Sequence, residues 1–60
     1  MNRQRAEQIV QTGELKHVTY QGERIYIQQI DKNSDTARVY PLDDPQKEFD
    51  VPISQLVEKP

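Results

Sequence analysis

The clearest alternation of hydrophobic and polar positions lies in the middle of the chain. Residues 25–30 and 36–40 are rich in β-branched and aromatic side chains, and the segment between them, Asp31 to Asp35, is polar. Two such runs on either side of turn-forming residues are typical of a β-hairpin. The sequence therefore predicts a central pair of antiparallel strands joined by a five-residue loop. Each remaining segment can be placed by how it covers or extends this pair.

The hydrophobic positions of this hairpin predict its register. A five-residue loop places Ile27 opposite Val39, and both then lie on the buried face. Ile30 falls on the opposite parity from Ile27, although it is just as apolar. A β-bulge or sharp bend near Gln28-Gln29 explains this, as happens where one long strand contributes to both sheets of a small barrel.

A second hairpin is predicted on the N-terminal side of the first. Residues 16–20 alternate like a strand and lead into Gln21-Gly22. If these two residues form the turn, Val18 lies opposite Ile25, whereas a three-residue loop would mix the two faces of the strands. The hydrophobic pattern favours the two-residue turn, even though glutamine is a poor residue for the positive φ that such a turn requires.

A third strand pairing is predicted in the second half of the chain. Alternating apolar positions follow the turn-rich segment 43–47. The register that makes the inner faces agree across three strands pairs Leu42 with Glu48, Val39 with Val51, and Ala37 with Ile53. Pro52 has no N–H for a ladder, so it is expected at an edge or at the end of its strand.

The last residues predict a short closing turn. Ser54 is placed to cap one helical turn that carries Leu56 onto the end of the barrel. Residues 57–60 are expected to fray, because nothing in the pattern ties them down.

A short helix is predicted ahead of the strands. Asn2 is a suitable N-cap, and Gly13 fits the left-handed position that follows a helix. Between them, apolar residues recur at spacings of three and four: Ala6, Ile9 and Val10. A helix over about residues 3–11 follows. Because so short a helix is marginal in water by itself, it must pack against the strands.

These elements predict a mostly β protein. The expected fold is a short N-terminal helix followed by a small SH3-like, partly open antiparallel barrel of four to five strands, at about residues 15–57. A single domain over residues 1–60 is expected, since a chain of this size buries only about 60% of its unfolded surface. Cysteine is absent, which removes disulfides and thiolate zinc sites. No apolar run approaches the roughly 20 residues that span a bilayer, so no membrane association is expected.

Few residues are suited to catalysis or to holding a cofactor. His17 is the single histidine, and there is no cysteine to act as a nucleophile. The acidic residues of segment 43–50 do not have the spacing of a calcium-binding loop, and Gly22 is not part of a phosphate-binding loop. We therefore expect no enzyme, no cofactor and no metal site.

Charge is unevenly distributed along the chain. The net charge is −2: residues 1–38 contain six Lys/Arg and five Asp/Glu, and residues 39–60 contain two and five. Nucleic-acid binding depends on a basic surface. The acidic balance therefore disfavours nucleic acid as a partner without excluding it.

The outer face of the predicted sheet is the candidate binding surface. The predicted registers place four residues in one row across this face: His17, Tyr26, Tyr40 and Asp50. Three further residues lie on the same face beside the row: Arg24, Gln28 and Arg38. Aromatic side chains interleaved with arginine can stack on the bases of single-stranded nucleic acid. The alternative is a cross-strand tyrosine pair and an Arg–Asp neighbour that only stabilise an exposed face. The acidic net charge favours this alternative.

Six short motifs occur in order along the chain: Met1-Asn2-x-Gln4-Arg5-Ala6, Val18-Thr19-Tyr20-Gln21-Gly22, Ile27-Gln28, Thr36-Ala37-Arg38-Val39-Tyr40, Asp44-Pro45 and Val51-Pro52-Ile53-Ser54-Gln55-Leu56. Together they resemble the H-type small acid-soluble spore protein family. Each motif alone is weak, but the set covers nearly the whole chain and is quite specific. Two positions depart from the family pattern, since Gln21 stands where Asn is familiar and Gln29 where His is common.

The resemblance implies a protein made in the developing forespore and held in the spore core, the former forespore cytoplasm. It does not imply the DNA-coating activity of the α/β-type spore proteins, and it brings no catalytic residues. The first hypothesis is thus a non-enzymatic spore-core protein of unknown partners. The others are a nucleic-acid-binding module that uses Tyr26, Tyr40, Arg24 and Arg38, and a protein-interaction domain that presents the same face or a strand edge. A homodimer would complete the thin core.

Overall fold

The computed structural model describes residues 1–13 and 16–59. Its elements are α1 (Arg3–Thr12), β1 (Val18–Tyr20), β2 (Glu23–Asp31), β3 (Thr36–Pro41), β4 (Phe49–Pro52), a 3₁₀ turn (Ile53–Gln55) and β5 (Leu56–Glu58). The strands form one antiparallel sheet in the order β4-β3-β2-β1-β5, with β4 and β5 at its edges. The prediction of a mostly β, SH3-like and partly open barrel is confirmed. Within the described residues, no helix has the length and hydrophobicity to cross a membrane.

Helix α1 has the predicted caps. The Asn2 side chain accepts a hydrogen bond from the Arg5 N–H at 2.8 Å. Gly13 has a left-handed backbone with φ of 69°, and its N–H donates to the Ile9 carbonyl at 3.2 Å. Ala6 and Ile9 are buried. The helix is therefore held by its packing on the barrel, as its length requires.

Gln21-Gly22 forms the predicted two-residue turn between β1 and β2. Both residues have positive φ, 52° and 81°, which is the conformation of a type I′ turn. Val18 lies opposite Ile25, so the predicted register is confirmed. Strand β1 is shorter than residues 16–20 because it begins at Val18, and His17 precedes it. The ladder therefore ends one residue before the predicted pairing of His17 with Tyr26.

The central hairpin has the predicted pairing and the predicted bulge. Ile27 lies opposite Val39, and the register shifts between Ile27 and Gln29. As a result Ile30, which breaks the alternation of the sequence, packs against the core. The bulge bends β2 so that it serves both halves of the barrel.

The loop of this hairpin is one residue shorter than predicted. Asp31 pairs with Thr36, which leaves residues 32–35 as the loop. The prediction was wrong because the bulge leaves one residue of β2 unpaired, so Asp31 rather than Ile30 lies opposite Thr36. The Asp31 carboxylate accepts a hydrogen bond from the Asn33 N–H at 2.9 Å, and this bond holds the pKa of Asp31 below its usual value.

The register between β3 and β4 differs from the prediction by two residues. Val39 lies opposite Phe49 rather than Val51, and Ala37 lies opposite Val51 rather than Ile53. A shift of two residues keeps every side chain on its face, so the hydrophobic pattern cannot distinguish the two registers.

The connection between β3 and β4 explains this shift. It comprises residues 42–48, so Leu42 and Glu48 lie in the connection and do not pair. The Asp44 N–H donates to the Pro41 carbonyl at 3.1 Å and starts a turn directly after β3. The last pair before the connection is therefore Val39 with Phe49 rather than Leu42 with Glu48.

The 3₁₀ turn follows Pro52, which ends the edge strand β4 as its missing N–H predicts. Ser54 lies inside this turn, and the cap position is Pro52 with no side-chain capping bond. The prediction that Ser54 caps the turn is therefore wrong. Leu56, however, is fully buried, as predicted.

The prediction that residues 57–60 fray is wrong for the residues that the structure describes, while Pro60 lies outside them. Val57 and Glu58 belong to β5, which pairs with β1. The Lys59 N–H donates to the His17 carbonyl at 2.7 Å and extends this pairing. The β1 edge satisfies the main-chain groups of the last residues, which the side-chain pattern does not reveal.

One apolar cluster lies between the sheet and the helix: Ala6, Ile9, Val18, Ile25, Ile27, Ala37, Val39, Val51, Ile53 and Leu56. Tyr20 and Phe49 pack on it, with ring centroids 5.9 Å apart. Because the inner positions of β2 and β3 are buried in this cluster, the alternate residues of both strands form an outer face.

Candidate functional site

Tyr26 and Tyr40 form the centre of the outer face. They lie directly opposite each other on β2 and β3, and their ring centroids are 5.3 Å apart with the planes tilted by 39°. Both side chains are half-buried, whereas their strand neighbours Ile25, Ile27 and Val39 are buried in the core on the other face. The predicted cross-strand pair is thus formed. This geometry is that of a stabilising aromatic pair that keeps one side in solvent.

Arg38 lies beside this pair, but its charge is already compensated. Its Nε donates to Glu48 at 3.1 Å and its Nη1 donates to Asp50 at 3.2 Å. These hydrogen bonds, that to Glu48 first, raise the pKa of Arg38 above its usual value. Asp50 lies opposite Arg38 and not in the row of Tyr40, because of the two-residue shift between β3 and β4. Arg38 therefore adds little positive charge for a phosphate group.

Arg24 and His17 lie on the other side of the tyrosine pair. Arg24 is exposed on β2 opposite Thr19 of β1, and its parity puts it on the outer face with Tyr26. His17 is exposed just before β1, where its carbonyl accepts the hydrogen bond from Lys59. Across residues 1–13 and 16–59, no three His, Cys, Asp or Glu side chains are grouped as ligands of a metal ion.

The charges on this face are therefore divided. Arg24 and Lys59 lie toward β5 and β1, whereas Glu48 and Asp50 lie toward β4 and share the single cation Arg38. A nucleic-acid strand follows a continuous positive groove. The outer face instead combines an apolar, aromatic centre with flanks of opposite charge.

The structure also contains a cleft that the sequence reasoning missed. Tyr20 and Phe49 form its apolar floor at the end of the barrel, and Glu23 and Lys47 lie at its rim. The two aromatic residues occupy inner positions next to polar connections, and that signal could have identified the cleft. Their tilted contact closes this end of the core.

Ion pairs between helix and barrel were missed as well. Arg5 donates to both carboxylate oxygens of Glu58, at 2.8 and 2.6 Å, and Arg3 donates to Asp35 at 3.0 Å. The bond from Arg5 holds the pKa of Glu58 below its usual value. Met1 contributes a third contact, because its nitrogen donates to the Leu56 carbonyl at 2.6 Å. These contacts fix α1 against β5 and the β2–β3 loop.

Comparison of the amino-acid sequence with known proteins identifies a family. Residues 1–58 match the model of the small acid-soluble spore protein H family. The chain belongs to this family. The resemblance found in the motifs is confirmed over nearly the whole length of the chain.

The H family includes relatives of similar length. Small, acid-soluble spore protein H of Halalkalibacterium halodurans is 52% identical over 58 residues, which cover 97% of each chain. The Bacillus subtilis protein of the same name is 50% identical over 97% of this chain and 98% of its own. Small, acid-soluble spore protein H 2 of Bacillus cytotoxicus is 42% identical over 59 residues. No solved structure matches the fold.

Membership in the H family identifies the chain as a small acid-soluble spore protein that is associated with spores. This family is a structural or storage kind of protein and is not known for enzymes.

Proposed function

We propose that the protein is a non-enzymatic component of the spore core, present from the forespore cytoplasm onward, with a structural or stored role. The observation that carries this proposal is the family match over residues 1–58. The Ser34 hydroxyl agrees with a non-enzymatic role, because it lies in an exposed loop and is hydrogen-bonded to the Thr36 hydroxyl at 2.9 Å.

The charge composition supports extraction in acid. Ten Asp and Glu side chains lose their charge at low pH, while eight Lys and Arg and one His remain positive, which gives a formal side-chain charge of +9. In a chain of 60 residues, such a charge keeps molecules apart in solution. The same acid precipitates many proteins that unfold and aggregate.

Fractionation of purified spores tests the proposal. A tagged chain is expressed in the sporulating host, and the spores are stripped of their coats before they are broken and extracted with acid. We expect the chain to stay inside coat-stripped spores and to appear in the acid extract after breakage. Recovery with the coat proteins, or from the mother cell, would place it elsewhere. A soluble coat protein and a soluble core protein serve as markers for the two fractions.

A nucleic-acid-binding module is the second candidate. The half-exposed pair Tyr26–Tyr40 and the exposed Arg24 support it, since bases stack on such rings. It ranks second because Arg38 is compensated by Glu48 and Asp50. Titration of single- and double-stranded DNA across a salt series tests it. Binding at low salt that is lost in Tyr26→Ala/Tyr40→Ala supports this candidate, and absence of binding at low salt removes it.

A further inference from the structure

Helix α1 lies on the barrel as a separate piece. The core contains ten buried apolar residues, of which α1 supplies Ala6 and Ile9, while the strands and the 3₁₀ turn supply the other eight. The sheet is held by ladders that run from strand to strand and do not involve the helix. Removal of α1 from its place would therefore cost a small part of the core and none of the pairings of the sheet.

Charged groups hold the helix on the barrel. Arg5 donates to both carboxylate oxygens of Glu58 in β5, at 2.8 and 2.6 Å. Arg3 donates to the Asp35 carboxylate at 3.0 Å and to the Lys32 carbonyl at 2.6 Å, both in the β2–β3 loop. Hydrogen bonds between ionised groups are stronger than those between neutral groups. The two arginines thus join the helix to two separate parts of the barrel, and each contact includes a carboxylate.

The helical conformation of α1 depends on these contacts. A helix of ten residues is marginal in water by itself. Within Arg3–Thr12, the first turn contains no acidic side chain and the last turn no basic one, so the helix dipole is not compensated. Arg3 and Arg5 in the first turn even oppose the dipole, unless carboxylates of the barrel lie beside them. Detachment of α1 and loss of its helix are therefore one step.

We propose that α1 is a lid on the apolar core, which opens as a unit while the barrel stays folded, and that acid favours the open state. The acid-sensitive group is Glu58, because protonation removes the charge that binds Arg5. The hydrogen bond from Arg5 lowers the pKa of Glu58, and the charges of Arg5 and of Lys16, ahead of β1, act in the same direction. The contact therefore stabilises the closed lid above the usual pKa of 4.5, and this contribution disappears as the pH falls through the lowered value.

Opening of the lid changes the surface of the protein. Helix α1 packs on β2 and on the 3₁₀ turn, and Ile30 and Ile53 of these elements belong to the core and its margin. The open chain would present this apolar surface to solvent, while the closed chain covers it. A change of pH is thus converted into a change of exposed apolar surface through an element with two states.

Amide hydrogen exchange, followed residue by residue by NMR on the full chain, tests whether the lid opens separately. At about pH 6, the amides of α1 should be protected at least about tenfold less than those of the β2–β3 ladder. Gly22→Ala strains the β1–β2 turn and leaves the contacts of α1 intact. It should reduce protection of the ladder about fivefold and leave protection of α1 unchanged, because the open and closed states share the same turn. Equal loss in both elements would mean that α1 opens only when the whole chain unfolds, which overturns the proposal.

Arg5→Gln tests the role of charge. At about pH 6 it should raise the ratio of open to closed molecules, read from the α1 amides, about three- to tenfold. At about pH 3 it should have little effect, since Glu58 is then protonated in the parent as well. Arg24→Gln, the same substitution at an exposed position of β2, is the matched control and should leave the α1 amides unchanged at both pH values. An effect of Arg5→Gln that is absent at about pH 6, or equal at both pH values, overturns the control of the lid by acid.

Discussion

The two faces of the β2–β3 hairpin are built from adjacent residues but stabilise the protein in different ways. On the inner face Ile25 and Val39 are completely buried. On the outer face Tyr26 and Tyr40 contact each other and keep part of each ring in solvent. The inner face is thus restricted by packing in a thin core, whereas the outer face contributes a pairwise contact that other side chains could replace.

The largest effect is expected from the inner face. Ile25→Ala removes a fully buried side chain from the centre of the cluster, and such substitutions destabilise proteins by about 2–5 kcal/mol. A chain of 60 residues has on the order of 3–9 kcal/mol of total stability. Ile25→Ala should therefore lose a large part of its stability and unfold at a much lower urea concentration than the parent chain, as followed by circular dichroism. Ile25→Val, the milder control, should lose about 0.5–1.5 kcal/mol. A loss below about 1 kcal/mol for alanine would show that the inner face is not the main source of stability.

The second-largest effect on stability is expected from the Gln21-Gly22 turn, which determines the register of β1 and β2. Gly22 has φ of 81° with open space around the position of a Cβ, so Gly22→Ala introduces backbone strain and no clash. We expect a loss of about 1 kcal/mol in the free energy of unfolding. Gln21→Asn should have the opposite sign and gain a few tenths of a kcal/mol, because asparagine tolerates the left-handed conformation that Gln21 adopts at φ 52°. Thermal denaturation of both variants measures the pair, and equal effects of the same sign would contradict this account.

Different parts of the fold were predictable to different degrees. The β1–β2 register was predictable because a two-residue turn leaves one pairing that buries Val18 with Ile25. The β3–β4 register was not, since a seven-residue connection permits shifts of two that preserve both faces. Strand β5 was missed because its pairing with β1 depends on main-chain groups rather than on side-chain pattern.

The candidate surface was predictable in its centre and not in its surroundings. Alternation and the predicted loop length together placed Tyr26 opposite Tyr40, as the structure shows. The compensation of Arg38 by Glu48 depends on the β3–β4 connection, whose path no local pattern specifies. The pairing of Arg5 with Glu58 joins residues 53 positions apart, a separation over which a single sequence gives no signal.

The outer face should show a smaller effect than the inner face or the turn. A double-mutant cycle with Tyr26→Ala, Tyr40→Ala and the double variant isolates the contact between the rings. We expect a coupling energy of about 0.5–1 kcal/mol, typical of cross-strand aromatic pairs. Urea denaturation measures this coupling energy, at a protein concentration low enough that association between chains does not contribute. A coupling near zero would mean that the two rings are held independently and that the face is available for binding without loss of stability.

The smallest expected effect concerns Glu58, a charged residue that lies on the inner side of β5, as Leu56 does. Its pKa is lowered by the hydrogen bond from Arg5, so the folded state favours the carboxylate. A lowered pKa in the folded state stabilises the protein above the usual pKa of glutamate, and this contribution disappears as the pH falls through the lowered value. Glu58→Gln should therefore have a lower melting temperature than the parent at pH 7. In strong acid, where the parent carboxylate is also protonated, the two should melt together. Glu23→Gln, at the exposed first residue of β2, serves as the control and should match the parent at both pH values. If the melting temperature of Glu58→Gln is lower than that of the parent by the same amount at both pH values, Glu58 stabilises the inner face through packing rather than through its charge.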